Sequence, residues 1–262
     1  MGEPLRVERD GPVARVVMTR AEVHNAFDEE LIPALAAAFA ELGSDVGVRV
    51  VILAGEGRSF SAGADLEWMR RLGEASEAEN REDARMLAAM LRTVTECPKP
   101  VVARVHGNAF GGGVGLVACA DIAVVVEGAR FGFTEVRLGL APATIAPWVL
   151  GKIDAGHVLP LFLTGEWFDA EFAAKIGLVH GVVEADELDE SVERVVQSLL
   201  AGGPVAQAAV KRLAHRISVT EPAIDEYTAE VIASLRTGEE GREGVRAFLE
   251  KRKPAWSPEN QS

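Results

Sequence analysis

Cysteine is nearly absent. Cys97 and Cys119 are the only two in the chain, too few for a disulfide framework, so stability must come from a hydrophobic core and a reducing cytoplasm is the expected setting. Cations are scarce too: Lys and Arg number 27 against 40 Asp and Glu, a formal charge of -13. A surface of that sign repels nucleic acid phosphates. Long apolar runs are also missing. The longest stretch, 101–126, is interrupted by Arg104, His106, Asn108 and Asp121, each costly in hydrocarbon. Neither nucleic acid nor membrane is therefore an expected partner. The opening MGEPLRVERDG contains no apolar export segment. Low-complexity tracts do not occur, and with 48% hydrophobic content over 262 residues the chain can bury one large domain, with at most a helical appendage.

Several catalytic signatures are missing as well. The five histidines, His24, His106, His157, His180 and His215, are scattered, with no HExxH or CxxC, and no metal site is expected. No Gly-Lys-Ser/Thr triplet exists for a phosphate loop. Ser61, the serine nearest to a nucleophile elbow, has Ser59 where the first glycine of G-x-S-x-G belongs. Residues 113–118 match G-x-G-x-x-A, but residues 106–110 separate these glycines from the preceding strand. The next strand begins only nine residues after Gly113, too soon for a crossover helix. A dinucleotide-dependent dehydrogenase is thus the least favoured alternative.

What is present is a repeated pattern. Residues 5–9 and 13–19 read as a hairpin around Asp10-Gly11. Asp28 can cap a helix running to Gly43, with Pro33 tolerable near its first turn. Residues 49–54 form a buried strand. Ser76 and Glu79 have capping-box spacing ahead of Met86, Leu87, Met90, Leu91 and Val94, a helical series that CPKP at 97–100 ends. Strands at 101–105 and 122–126 flank a glycine-rich loop and a short apolar helix. RVVILAGEGRSFSAGADL and VVARVHGNAFGGGVGL therefore repeat the order strand, glycine-rich loop, helix about fifty residues apart. A weaker third unit ends in HGVVE at 180–184, after a helix that Asp169 can cap. From 186 onward the chain reads as helix alone, at 186–201, 204–216, 222–235 and 239–251, and the apolar faces of that region suit subunit packing.

Free backbone N–H groups at glycine-lined helix starts attract developing negative charge. A single such loop is more often a tight turn with close packing. Two in equivalent positions, FSAGADL at 60–66 and FGGGVGL at 110–116, favour a two-donor oxyanion site.

As a set, TRAEVHNAFD at 19–28, SFSAGADL at 59–66, VHGNAFGGGVGLVACADIAVV at 105–125, ARFGFTEVRLGLAP at 129–142 and FLEKRKPAW at 248–256 resemble the enoyl-CoA hydratase/isomerase (crotonase) superfamily over nearly the whole chain. The resemblance implies an α/β fold, a crotonase-like spiral of β-β-α turns over 1–195 that carries an acyl-CoA site. A C-terminal helical oligomerisation region, 196–262, follows, and the assembly is a homotrimer or a dimer of trimers. It implies an acyl-CoA thioester as partner, with coenzyme A part of the substrate and no separate cofactor. The N–H groups of Ala62 and Gly112 would hold the thioester oxygen. Coenzyme A would lie near Val23, His24, Asn25, Ala64, Asp65 and Leu66, with Phe248 and Lys251 at its nucleotide end. Glu135 matches one of the family's two catalytic glutamates; at the other position, two residues beyond the glycine triplet, stands Gly115. The stretch APATIAP at 141–147 resembles a bacterial methylglutaconyl-CoA hydratase branch, whose substrate carries an extra carboxylate. The implied activity is reversible hydration of a 2-enoyl-CoA with Glu135 as general base or acid, its pKa raised by burial. Two alternatives stand beside it: isomerisation of a 3-enoyl-CoA, for which one carboxylate suffices, and acyl-CoA binding with little turnover.

Overall fold

The computed structural model describes residues 3–218 and 223–254. Strands β1 (Leu5–Asp10) and β2 (Val13–Met18) form the expected antiparallel hairpin. The first helix, α1 (Leu31–Ser44), begins three residues beyond Asp28. Asp28 caps it nonetheless, its Oδ1 accepting from the N–H of Glu30 at 3.1 Å and of Leu31 at 2.8 Å.

The chain then winds through three similar turns. The first runs β3 (Val50–Gly55), β4 (Ser59–Ser61), α2 (Leu66–Glu74) and α3 (Glu77–Glu96); the second runs β5 (Val101–Val105), β6 (Asn108–Phe110) and α4 (Gly112–Cys119). The third runs β7 (Ile122–Val126), β8 (Arg130–Gly132), α5 (Ala146–Lys152) and α6 (Ala155–Thr164). After β9 (Trp167–Asp169), α7 (Ala170–Lys175) and β10 (Gly181–Val183), the helices α8 (Leu188–Leu200), α9 (Pro204–Ser218), α10 (Ala223–Thr237) and α11 (Glu239–Leu249) complete the described chain. The strands sort into two sheets, β1-β2-β3-β5-β7-β10 and β4-β6-β8-β9. In the larger sheet every pair from β2 onward is parallel. Each turn therefore gives one strand to each sheet before its helix, which is the expected spiral of β-β-α units.

Buried parallel strands need apolar residues on both faces, and Val50 to Ala54 and Val101 to Ala103 are all buried. The expected capping box opens α3: Ser76 Oγ accepts from Glu79 N, and Glu79 Oε2 accepts from Ser76 N. The third unit is also present, with Asp169 capping α7 through Phe172 N at 2.9 Å and β10 pairing with β7.

One expectation about the C-terminal region needs correction. A boundary at 195/196 would cut α8, whose Leu188, Val192 and Val196 are buried in the main core beside the strands. Within the chain, Ala229 and Ile232 of α10 and Val245 of α11 pack with Ala84 and Leu140 in a second cluster. Large apolar side chains remain exposed on α6 (Leu159, Leu163) and α9 (Val205, Val210, Leu213). Pro222, the expected start of a helix, and Ala255-Trp256, the end of the FLEKRKPAW motif, lie outside the described residues. Among the described residues no helix is long and apolar enough to cross a membrane.

Candidate active site

The two glycine-lined loops stack because side chains that would hold them apart are absent. Gly63 has φ +84°, and a Cβ there would lie 2.7 Å from Phe110 O and 3.3 Å from Gly112 N. Any larger residue would be strained and would push the loops apart. The first loop is pinned to residues 25–27 on both sides, by Phe27 N donating to Gly63 O and by Asp65 N donating to Phe27 O at 2.9 Å. Between those bonds the N–H of Ala64 finds no acceptor among the described residues, and the N–H of Gly112, first residue of α4, finds none either. Both residues border one cavity of about 860 Å³.

Ala62 does not have the free N–H expected of it. That group donates to His24 O at 2.9 Å, so in this loop the N–H available to a ligand belongs to Ala64. Gly112 is as expected.

Strand β8 leads through Thr134 into a 3₁₀ turn, Glu135–Leu138, which brings Glu135 to the cavity wall. Its Oε1 packs on Gly111, where a Cβ would come within 3.1 Å; its Oε2 is closed off from solvent and has no hydrogen-bond partner among the described residues. Burial raises the carboxyl pKa from 4.5 to about 7. Near neutral pH this group holds and releases a proton with equal ease, the property a proton-transfer catalyst needs.

Gly115 lies inside α4 and is not on the cavity wall. A Cβ there would sit 2.4 Å from Ile145 Cγ2 and 2.8 Å from Ile145 Cβ, so hydrocarbon fills the space that a side chain at 115 would need. Ile145 itself is buried and borders the cavity.

Of the residues expected along coenzyme A, Val23, His24, Ala64, Asp65, Leu66 and Phe248 border the cavity. Asn25 and Lys251 do not. Asn25 is fully buried at φ +52°, and its amide donates to the carbonyls of Glu56, Ser59 and Phe60 at 2.8, 3.0 and 3.1 Å. It braces the loop from behind. Lys251 is exposed, also at positive φ, beside Phe248 and Arg252, which do reach the wall. The Asp65 carboxylate caps α2, accepting from Glu67 N and Trp68 N, and pairs with Arg20, which also binds Asp28 at 2.7 Å.

One cluster escaped the sequence reading. Trp68 Nε1 and Arg236 Nη1 each donate to Asp83, at 3.1 Å, and the guanidinium lies 5.6 Å from the Trp68 ring centroid. Burial raises the Asp83 pKa against the opposing pull of Arg236. The cluster clamps α10 to α2 and α3 beside the cavity, and no local motif links residues so far apart in sequence.

The sequence model of the enoyl-CoA hydratase/isomerase family matches residues 8–259. The chain is 34% identical over 264 residues to the carnitinyl-CoA dehydratase of Salmonella typhi, covering 98% of this chain and 99% of that one. Among solved structures, an enoyl-CoA hydratase from Mycobacterium avium superposes with a TM-score of 0.84 at 36% identity, covering 98% of this chain and 100% of that one. An enoyl-CoA hydratase from Shewanella pealeana superposes with a TM-score of 0.80 at 37% identity, covering 97% and 96% respectively.

Proposed function

The chain belongs to the enoyl-CoA hydratase/isomerase family, and within it we propose that this enzyme reversibly hydrates a 2-enoyl-CoA thioester. One observation carries the reading: one cavity is bordered by Ala64 and Gly112, whose backbone N–H groups have no acceptor among the described residues, and by Glu135, whose carboxyl pKa is raised by burial to about 7.

Coenzyme A is part of the substrate and lies along Val23, His24, Asp65 and Leu66, its nucleotide end toward Phe248. The thioester oxygen sits between the N–H groups of Ala64 and Gly112. As the oxygen of a water bonds to C3, its proton passes to ionised Glu135 and the C2–C3 π pair moves onto the thioester oxygen. A rigid donor aimed at that oxygen is worth about 3 to 4 kcal/mol. Collapse of the enolate returns the pair to C2, which takes the proton back from Glu135. With Ile145 filling the space beside Gly115, one carboxyl performs both transfers, and a pKa near 7 serves both directions better than one near 4.5.

The finer assignment, a branched and carboxylated substrate such as methylglutaconyl-CoA, is supported by the APATIAP resemblance and by Arg137, an exposed cation on the same cavity wall as Glu135. The absence of a carboxyl at 115 favours a second reading, isomerisation of a 3-enoyl-CoA, since one base can move a proton between C4 and C2. The setting we assign is the cytoplasm, consistent with two buried free cysteines, and the assembly a homotrimer or dimer of trimers using the exposed faces of α6 and α9. Light scattering tests the assembly. Crotonyl-CoA, methylglutaconyl-CoA and a 3-enoyl-CoA test the chemistry: hydration removes the conjugated thioester absorbance and isomerisation creates it. Binding without either change would reduce the protein to an acyl-CoA-binding homologue.

A further inference from the structure

We propose that the Thr144 hydroxyl holds the attacking water against Glu135, in the role a second carboxylate would otherwise fill. This rests on the hydration reading above. Thr144 is 5% exposed and borders the same cavity as Glu135. Its hydroxyl makes no hydrogen bond to the described residues and is not among the orphaned polar atoms sealed away from solvent, so it keeps accessible surface on a residue that borders the cavity. The buried serine hydroxyls are used by the protein itself: Ser61 Oγ, for example, donates to Asn25 O and accepts from Gly63 N. A buried hydroxyl left unpaired is unfavourable unless water or ligand completes it; of the Glu135 oxygens, Oε2 is sealed from solvent, so the carboxyl would meet that water through Oε1, which lies against Gly111 at the cavity wall.

Both groups border one cavity from neighbouring stretches of chain. Leu140 N closes the 3₁₀ turn on Glu135 O at 3.0 Å, and Ala146 N donates to Pro142 O at 2.9 Å, so the segment that carries Thr144 follows directly on the turn that carries Glu135 and leads into α5. Ile145 then fills the place beside Gly115, and the residue before it brings a hydroxyl to the cavity. A water there gives one O–H to the Glu135 carboxylate and the other to Thr144 Oγ1, leaving a lone pair for C3. The Thr134 hydroxyl likewise makes no hydrogen bond to the described residues, but Thr134 adjoins Glu135 on the same segment and is only half-buried, so it serves as the control.

The test is steady-state hydration by Thr144→Val, Thr144→Ala, Thr144→Ser and Thr134→Val, with coenzyme A affinity measured alongside. Val and Ala should lower kcat about ten-fold or more with KM and coenzyme A affinity within two-fold. Ser, which keeps the hydroxyl, should stay within a few-fold of wild type, and Thr134→Val should match wild type. Should Thr144→Val fail to fold, the Ala and Ser pair decides. Wild-type kcat in Thr144→Ala, an equal loss in Ser and Ala, or a loss carried by Thr134→Val instead would each overturn the proposal while leaving hydration standing. A wild-type enzyme that hydrates none of the enoyl-CoA substrates overturns the hydration reading, and this one with it.

Discussion

Glu135→Gln should make the folded protein more stable and the enzyme nearly inactive. The carboxyl pKa is displaced by burial from 4.5 to about 7, which means the fold disfavours the ionised form. Below about pH 4.5 the group is protonated both folded and unfolded, and the displacement has no effect. Between about 4.5 and 7 the folded chain holds a proton that the unfolded chain has released, so stability falls as pH rises, and above about 7 the full penalty is in place. A displacement of that size is worth roughly 3 kcal/mol. Gln replaces Oε2 with an NH₂ that also lacks a partner, which returns about 1 kcal/mol of the gain. The variant should therefore be about 2 kcal/mol more stable at pH 8.5, roughly 4 to 8 °C in melting temperature for a chain of this size, with a smaller advantage at pH 5.5. Turnover should fall by about 10² to 10⁴-fold at unchanged coenzyme A affinity. Paired melting curves at pH 5.5, 7 and 8.5 are the assay. A difference that does not grow with pH, or a wild type more stable at pH 8.5, would refute the claim that burial sets the acidity of this group.

The same displacement predicts that kcat/KM for hydration rises with pH through about 7 and then levels, because the base must be ionised; a profile already flat from pH 5.5 would contradict it. Gly115→Ala should cost about 1 to 3 kcal/mol, since its Cβ would meet Ile145 Cγ2 at 2.4 Å. Combining it with Ile145→Ala should cost less than the two singles together, by about 0.5 kcal/mol or more in urea unfolding. Asp83→Ala should destabilise by about 3 to 5 kcal/mol, because Arg236, buried with it, is left without a counter-charge. Replacing both by Leu should recover part of that loss, and coenzyme A binding should weaken in the single variant as α10 loosens.

The parts of the fold legible in the sequence were those with a local cause. Ser76 and Glu79 satisfy each other's backbone within one turn, and the apolar run at 50–54 is buried whatever lies across from it. The smaller sheet was not legible from local pattern. Its strands β4, β6, β8 and β9 are three residues each, too short for a period-two signal, and they exist because each lies beside the next. The site divides in the same way. Glu135 and Gly112 stood out through motif resemblance. Choosing between Ala62 and Ala64 required knowing that the His24 carbonyl had already taken one of the two N–H groups, and that carbonyl comes from a different segment. Asn25 was misread for the same reason: its position in the motif is shared by residues that touch the cavity, whereas its side chain turns to the backbone of β4.

Gly115 and Ile145 are one feature distributed over two positions. Deleting a side chain at 115 alone would leave a void beside α4, and a void in a close-packed core is costly in proportion to its volume. Ile145 removes that cost by placing Cγ2 where the side chain would start. The exchange is therefore locked from both directions. A carboxylate restored at 115 would collide with Ile145, and shortening Ile145 alone would open the void. Gly115→Glu by itself should then give a damaged protein on every substrate, because the collision occurs before any acyl group enters. A change in preference between crotonyl-CoA and methylglutaconyl-CoA should appear only when Ile145→Gly accompanies it. A well-folded Gly115→Glu enzyme with raised kcat/KM on crotonyl-CoA would show that Ile145 yields readily, and that the second carboxylate was lost without the neighbouring loop having taken its place.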